Sequence, residues 1–311
     1  MSGVKTQQLS RTGTEVSSVV LGLMRIDALD DAAVRDLVST ALDAGVTMLD
    51  HADVYGGDHL CERRFGEAVQ LTASQRERVQ LVSKVGIREG YFDFSTEHIL
   101  SSVEESLEAL RTDHLDVLLL HRPDALVEPE EVAAAFDQLE AAGKVRHFGV
   151  SNHTPLQQDL LRTAVRQPLV VNQVQLSITH ASLVATGVAS NMRDLDQSVH
   201  RDGGMLDHAR IHGTTLQAWS PFQGGFFTGT FVGDRERYAD LNDVLDELAE
   251  THGVTPTGIA TAWITRHPAE IQVVLGSTKA QRVLEVAAGS DVRLSRPEWY
   301  RLFTAAGYLV P

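Results

Sequence analysis

Short apolar runs alternate with longer amphipathic segments along most of this chain. Eight runs are apolar almost throughout instead of alternating with polar residues, which indicates strands that are covered on both faces. The runs are 19–22, 46–49, 79–82, 117–120, 148–150, 169–171, 216–219 and 271–275. Strands of this kind belong to parallel sheets, in which a crossover segment joins each strand to the next.

The segments between the runs have the spacing and the boundary residues of helices. Segment 95–110 begins at Ser95, a good N-cap residue, and places Ile99, Val103 and Leu107 on one face. Further helices are predicted over 30–44, 128–142, 256–266 and 279–288, and one is predicted to begin at Pro155. This strand–helix alternation predicts an α/β fold with a parallel sheet.

Eight repeats without a linker favour a closed (β/α)8 barrel, the TIM barrel, over an open doubly wound sheet. An open dinucleotide-binding sheet would need a G-x-G-x-x-G turn after its first strand, and the sequence has none there. We predict a single barrel domain over residues 1–311, with a short N-terminal hairpin within residues 1–18 centred on Thr12 and Gly13. Segment 181–213, which is weakly periodic, and segment 222–240 are predicted as loops over the site.

Composition and charge narrow the range of partners. The chain has 27 Lys and Arg residues against 42 Asp and Glu residues, a formal net charge of −15, so we expect no nucleic-acid or membrane partner. Cys61 is the only cysteine, which excludes an internal disulfide framework and a cysteine metal cage. No apolar window has the length of a signal peptide or a membrane span, so the expected compartment is the cytoplasm. The expected partner is a small molecule, and the sequence leaves the oligomeric state open.

Polar residues stand where the second, third and fourth runs stop, and a barrel of this kind builds its active site at the carboxyl ends of its strands. Asp50 follows the second run, with Tyr55 in the loop beyond, whereas Lys84 and His121 follow the third and fourth. Each residue alone could have a structural role, as a loop cap, a half-buried phenol, a snorkelling cation or a packing residue. A lysine directly after a buried strand, however, is unfavourable unless an acid balances it, and Asp50 is on the neighbouring strand.

These four side chains predict proton transfer to a carbonyl oxygen. A nearby ammonium favours the phenolate, so Lys84 is expected to lower the pKa of Tyr55 from its usual value of about 10. Asp50 would hold Lys84 charged and in place, and a neutral His121 would orient the oxygen. Tyr55 would then act as general acid in a carbonyl reduction.

Five motifs in order along the chain resemble the aldo-keto reductases. They are Asp50-x-Ala52-x-x-Tyr55-Gly56, Lys84, His121, Gly143-Lys144-Val145-Arg146-x-x-Gly149-Val150-Ser151-Asn152, and Asn172-Gln173. The resemblance extends from the N-terminal hairpin to about residue 290. It implies a (β/α)8 oxidoreductase that reduces an aldehyde or ketone to the alcohol with NADPH. Asp50, Tyr55, Lys84 and His121 match the catalytic tetrad of the family.

The resemblance also implies a set of residues that bind NADP(H). Those matching the nicotinamide site are Ser151, Asn152, Gln173 and Trp219. Those matching the pyrophosphate loop are Ser220, Phe222, Gly224 and Gly225. Those matching the adenosine 2′-phosphate pocket and the adenine edge are Gly276, Ser277, Thr278, Lys279, Arg282 and Glu285. Backbone N–H groups at a helix start, hydroxyls and two cations make this last segment a fair anion site.

Three positions depart from the family pattern. His51 replaces the usual Thr, which is expected to affect packing and not chemistry. Gly276 replaces a common lysine and Val286 a common Asn, which weakens a preference for NADP over NAD.

The substrate would be selected by the loops after the first, second, fourth and seventh strands. Candidate residues in these loops are Met24, Val54, Arg122 and Phe226.

Two other functions stay open at this stage. Lys84 could form a Schiff base in aldol chemistry, although Gln173, Trp219 and Arg282 would then have no evident role. The chain could instead be a nucleotide-binding regulatory module with little turnover. Metal-dependent hydrolysis is disfavoured, because the sequence has no His-x-His pair on a strand.

Overall fold

A closed barrel of parallel strands forms the centre of the molecule. The structure, a computed structural model, describes residues 3–225 and 228–311. The strands in these residues are β1 (Thr6–Gln8), β2 (Glu15–Ser17), β3 (Val19–Gly22), β4 (Met48–Asp50), β5 (Gln80–Val85), β6 (Ile87–Arg88), β7 (Tyr91–Phe92), β8 (Leu115–Leu120), β9 (Val145–Ser151), β10 (Leu169–Gln175), β11 (Thr215–Trp219) and β12 (Gln272–Leu275). The barrel has the order β10-β11-β12-β3-β4-β5-β8-β9, which confirms the predicted (β/α)8 fold.

The barrel strands bury apolar side chains on both faces. Their inward-facing side chains form one cluster with residues of the N-terminal hairpin, comprising Leu9, Val16, Val20, Met48, Val82, Val117, Leu119, Val170, Val171 and Val274. Neighbours in the chain such as Leu21, Leu49 and Leu118 belong instead to the layer between the strands and the helices. Because successive side chains of a strand point to opposite faces and both faces are buried, the runs show no alternation in the sequence.

The helices surround this barrel. In the described residues they are α1 (Asp31–Asp43), α2 (Leu60–Ala68), α3 (Ala73–Arg78), α4 (Thr96–Leu110), α5 (Pro129–Ala141), α6 (Pro155–Leu161), α7 (Ser182–Val188), α8 (Met205–His212), α9 (Ala239–His252), α10 (Pro256–Thr265), α11 (Ala280–Ser290) and α12 (Arg296–Ala305). The predicted helices all occur within a few residues of their expected bounds, and Ser95 caps α4 by accepting from the N–H of His98. No helix in the described ranges combines the length and the apolar character needed to cross a membrane.

The N-terminal hairpin closes one end of the barrel. Strands β1 and β2 pair antiparallel, as predicted, with Gln7 opposite Val16. The N–H of Ser10 donates to Thr215 Oγ1 at 2.8 Å, and Thr215 is the first residue of β11. The hairpin therefore covers the amino ends of the strands, which leaves the carboxyl ends for a site.

Segment 181–213 differs from the loop that we predict from the sequence. It contains α7, a short 3-10 turn at Asp196–Ser198, and α8. The two helices have seven and eight residues, too few to give a strong helical period in the sequence.

Candidate active site

Lys84 brings three of the four predicted catalytic groups together. Its Nζ lies 2.7 Å from Asp50 Oδ1 and 2.9 Å from Tyr55 Oη. It also donates to the backbone carbonyl of His51 at 2.7 Å. An ammonium group has three donors, so all three are satisfied. Asp50 and Lys84 are both buried, so removing either one would leave the other as an unpaired buried charge.

Strand pairing explains why these groups meet at one rim. Asp50 is the last residue of β4 and pairs with Val82 of β5, and Lys84 lies two residues further along β5. Because residues two apart on a strand share a face, Lys84 points to the same side as the inward-facing Val82. Tyr55 lies in the turn after β4, and His121 directly follows β8.

His121 lies beside Tyr55. Their ring centres are 5.9 Å apart, and the rings are almost perpendicular. Burial, helped by the positive charges of Lys84 and Arg122, holds the pKa of His121 well below its usual range. The imidazole is therefore neutral near pH 7, and a neutral imidazole can donate one N–H to an oxygen.

The acidity of Tyr55 differs from our expectation. Burial raises the pKa of Tyr55 above its usual value; Lys84 opposes this effect, and the negative charges of Asp50 and Asp53 add to it. The pKa of Lys84 is also raised, because Asp50 and Tyr55 together outweigh the burial that would lower it. The expectation of a lowered Tyr55 pKa is wrong because it considered the ammonium and not the loss of water around the phenol.

A buried polar cluster anchors the loop that carries Tyr55. Glu62 of α2 accepts hydrogen bonds from Ser83 and Ser106, the latter at 3.1 Å, and contacts Nδ1 of His59. Asp53 accepts from the hydroxyl of Ser102 at 3.2 Å. Burial, with Glu62 acting in the same direction, raises the pKa of Asp53 to about 6. Both ends of the loop are thus tied to α2, β5 and α4.

The predicted nicotinamide residues form one connected network. Asn152 accepts from Trp219 Nε1 at 3.0 Å, and its Nδ2 donates to Ser151 Oγ at 2.8 Å. Ser151 Oγ in turn donates to the backbone carbonyl of Gln173 at 2.9 Å. Asn152 has a φ of +60°, a left-handed conformation that Asn tolerates better than most residues. The network fixes the side chains of Ser151, Asn152 and Trp219 relative to one another and to the backbone of Gln173.

A row of buried glutamines connects Asp50 to the floor of the barrel. Gln173 Nε2 donates to Asp50 Oδ1 at 2.9 Å and to Gln217 Oε1 at 3.0 Å. Gln217 Nε2 donates to Gln272 Oε1 at 2.9 Å, and Gln272 Nε2 donates to the carbonyl of Ser17 at 2.7 Å. Gln217 and Gln272 are not among the residues predicted from the sequence. The sequence feature that could identify them is a polar residue inside each of two apolar runs, 216–219 and 271–275.

Replacing Gln217 with Leu is expected to lower kcat/KM about tenfold, because Gln173 loses the acceptor that orients its amide toward Asp50. Gln272 also loses a buried partner, so we expect the free energy of unfolding to fall by about 1–3 kcal/mol. Steady-state kinetics and urea unfolding measure the two effects. Unchanged kinetics in a destabilised variant would mean that the row supports the fold and not the position of Asp50.

A cavity of about 640 Å³ opens at the carboxyl ends of the strands. The sequence-predicted residues that line it are Met24, Asp50, Tyr55, His121, Arg122, Ser151, Asn152, Gln173, Trp219, Ser220, Phe222, Gly276, Ser277 and Arg282. Those that do not line it are Val54, Lys84, Gly224, Gly225, Thr278, Lys279 and Glu285. Phe226 lies outside the described residues. The cavity is also lined by residues that are not predicted from the sequence, among them Arg25, Gln223, Thr230 and Thr257.

Of the two segments predicted as loops over the site, one contributes to this cavity. Residues Phe222, Gln223, Gly229, Thr230 and Val232 line it, all from segment 222–240. No residue of segment 181–213 does.

Arg282 lies at the end of the cavity near the start of α11. It donates to Thr257 Oγ1 and pairs with Glu285 Oε2 at 3.0 Å. Gly276 lines the same region, and a Cβ added there would meet nothing within 4 Å. Hydroxyls and a guanidinium at one end, with amide and hydroxyl groups beside Tyr55 at the other, are the donor set that a nicotinamide dinucleotide requires. The residues present therefore fit such a cofactor.

The chain is similar to known proteins over nearly its whole length. A family model described as "Aldo/keto reductase family" matches residues 18–305. The chain is 39% identical over 313 residues to the oxidoreductase YdhF of Escherichia coli strain K12, covering 96% of this chain and 97% of the relative. It is 35% identical over 306 residues to a 6-dehydroglucose reductase of Agrobacterium fabrum, covering 94% and 95%.

A solved structure is also similar over nearly the whole chain. It is the thermostable aldo-keto reductase Tm1743, in complex with the inhibitor epalrestat. The two are 26% identical with a TM-score of 0.78, over 97% of this chain and 100% of that chain.

Proposed function

The chain belongs to the aldo/keto reductase family, and from this premise we propose that it reduces an aldehyde or ketone to the alcohol with NADPH, with Tyr55 as the general acid. The family consists of oxidoreductases that act on small carbonyl compounds. The observation that carries the assignment of residues is the contact of one buried ammonium, Lys84, with both Asp50 and Tyr55. We propose the cytoplasm as the compartment, as the sequence leads us to expect.

The proposed reaction adds a hydride and a proton to the carbonyl group. NADPH supplies the hydride when it is bound. Tyr55 donates its hydroxyl proton to the carbonyl oxygen, and His121 donates a hydrogen bond that orients this oxygen. The phenolate left on Tyr55 lies 2.9 Å from the Lys84 ammonium, which stabilises it until a proton returns from water.

A raised Tyr55 pKa is compatible with this role. The oxygen that gains negative charge becomes an alkoxide, which is far more basic than a phenolate, so proton transfer from the phenol stays favourable. The raised pKa also keeps the phenol protonated near pH 7, which is the form that a reduction consumes.

The cofactor residues are proposed from their places in the cavity. Ser151, Asn152 and Gln173 would hold the carboxamide of the nicotinamide beside Trp219. Both Nε2 hydrogens of Gln173 are engaged, so its contact would be made through Oε1, as an acceptor. The pyrophosphate would lie along Ser220, Phe222, Gly224 and Gly225, and the adenosine end along Gly276, Ser277, Thr278, Lys279, Arg282 and Glu285.

The ion pair between Arg282 and Glu285 bears on the choice of nucleotide. A 2′-phosphate would have to share Arg282 with this carboxylate, which weakens the preference for NADPH without removing it. We propose NADP(H) as the cofactor on the strength of Arg282, Ser277 and the helix start behind them.

Lys84 is poorly placed for Schiff-base chemistry. An amine that attacks a carbonyl must be neutral and must reach the substrate, whereas Lys84 has a raised pKa, donates to three acceptors and does not line the cavity. These observations favour the reductase over the aldolase.

An assay panel tests the proposal directly. Purified protein is mixed with NADPH or NADH and with aliphatic, aromatic and sugar-derived aldehydes and ketones, the last because of the relative named 6-dehydroglucose reductase. We expect carbonyl-dependent oxidation of NADPH, followed at 340 nm, at a higher kcat/KM than with NADH. Tight NADPH binding without turnover on any carbonyl would overturn the proposal in favour of a regulatory module.

A further inference from the structure

The catalytic cavity has an excess of positive charge although the chain has a net charge of −15. Its charged lining residues, among those described, are Arg25, Arg122, Arg282 and Asp50. Asp50 is neutralised by Lys84, and Arg282 pairs with Glu285. Two arginines facing the cavity are therefore left without a partner of opposite charge within the described ranges.

Arg122 is the closer of the two to the proposed chemistry. It directly follows His121, is only partly exposed, and its guanidinium carbon lies 5.7 Å from the ring centre of Trp219. No carboxylate of the described residues lies within 4.0 Å of it. The nearest acid in sequence, Asp124, accepts instead from the backbone N–H groups of Phe94 at 3.1 Å and Leu126 at 2.8 Å.

Arg25 reaches the same cavity from a different loop. It follows β3, next to Met24, which also lines the cavity. Its side chain is more exposed than that of Arg122, and it too has no carboxylate within 4.0 Å in the described part of the chain. Two guanidinium groups on separate loops thus face one space that Tyr55 and His121 also line.

A partly buried guanidinium without a counter-charge is unfavourable, and a planar donor fork is well suited to carboxylate, phosphate and sulfonate groups. We infer that the preferred substrate carries an anionic group in addition to its carbonyl, and that Arg122, assisted by Arg25, binds this group. This inference rests on the proposed carbonyl reduction and specifies its substrate class.

A second role for Arg122 must be distinguished from this one. Its position over the Trp219 ring could serve only to hold the indole by a cation–π contact. In that case the charge of the substrate would not affect the rate. The two roles differ in their response to a substrate that changes in charge and in nothing else near the carbonyl.

Matched pairs of substrates provide this comparison. The first pair is 4-formylbenzoate and its methyl ester, and the second is 4-oxobutanoate and its methyl ester. We expect kcat/KM for each acid to exceed that of its ester by about tenfold or more, mainly through a lower KM. The ratio of kcat/KM for the acid to that for the ester should fall as the KCl concentration rises, because salt screens the attraction between the anionic group and the arginines.

Variants assign the preference to the arginines. Arg122→Gln should bring the ratio of acid to ester close to one, Arg122→Lys should keep part of it, and Arg25→Gln should reduce it. Arg193→Gln is the control, because Arg193 is exposed and does not line the cavity, and its ratio should match that of the wild type.

Equal kcat/KM for acid and ester in the wild type would overturn the inference, and so would an unchanged ratio in Arg122→Gln. Both outcomes leave carbonyl reduction intact, because reduction of the esters demonstrates it independently. If a variant fails to fold, the comparison of acid and ester in the wild type still decides the inference.

Discussion

Replacing Tyr55 with Phe is expected to lower kcat for carbonyl reduction by about 10²–10⁴-fold, the range typical of losing a general acid. The variant loses one hydroxyl, the group that both contacts Lys84 and would donate the proton. The ring remains, so packing against the core should be kept. Stopped-flow measurement of a single turnover, with NADPH and an excess of carbonyl compound, would report the chemical step without product release.

Two measurements make this result specific to the chemistry. NADPH binding, followed by quenching of tryptophan fluorescence, should be nearly unchanged, because Tyr55 is not among the residues proposed to hold the nucleotide. Tyr91→Phe is the matched control, since Tyr91 is exposed on β7 and does not line the cavity. A single-turnover rate in Tyr55→Phe close to that of the wild type would remove Tyr55 from the mechanism and return the role of acid to His121 or water.

The carboxyl-end rim is the part of the site that the sequence predicts well. In a closed parallel barrel every apolar run ends at the same rim, so the residue at which each run stops is placed without further information. This holds for Asp50 and His121, which line the cavity, and for Lys84, which lies behind them. The pairing of Lys84 with Asp50 also follows from the sequence, because β4 and β5 are neighbours in the barrel.

Features that depend on burial or on distant contacts could not be predicted in this way. The direction of the Tyr55 pKa depends on how completely the fold removes water from the phenol, which no local pattern encodes. Gln217 and Gln272 lie inside apolar runs. In the sequence, a polar residue with a structural role looks the same there as one without a role, and only its hydrogen-bond partners distinguish the two. Arg25 lies in a loop, and its position in the cavity depends on the path of that loop.

The burial of individual histidines could not be predicted from the sequence either. His153 lies in the loop after β9, and its ring is buried and stacked against Phe94 at a centroid distance of 6.2 Å, which its position in the sequence does not predict. His51, which replaces the Thr usual in the family, is fully buried with its ring edge-on to Phe65 at 4.8 Å. Neither ring nitrogen of His51 has a hydrogen-bond partner among the described residues. The His51 ring is therefore a buried polar group whose nitrogens have no hydrogen bond to the part of the chain that the structure describes.

The protonation of His51 should make the protein sensitive to acid. Burial lowers the pKa of His51 from 6.5 to about 4, and burial does the same for His153 and His267. A folded state that resists protonation loses stability as the pH falls below the unfolded pKa, and the loss continues down to the folded pKa. Asp53, with its pKa raised to about 6, acts in the opposite sense, because its ionisation destabilises the fold as the pH rises from about 4 to 6.

Replacing His51 with Leu should remove one of these titrations. The advantage in stability of the variant over the wild type should be about 2 kcal/mol larger at pH 5 than at pH 8, because a pKa shift of one unit corresponds to about 1.4 kcal/mol and the variant no longer has this histidine to protonate. Urea unfolding at the two pH values measures this difference, and His200→Leu, at an exposed position, is the control. If His51→Leu and the wild type lose stability in parallel between pH 8 and pH 5, His51 is not the group whose protonation opposes folding. The acid sensitivity would then lie with the other buried histidines whose pKa is lowered, among them His121, His153 and His267, each of which can be replaced in the same way.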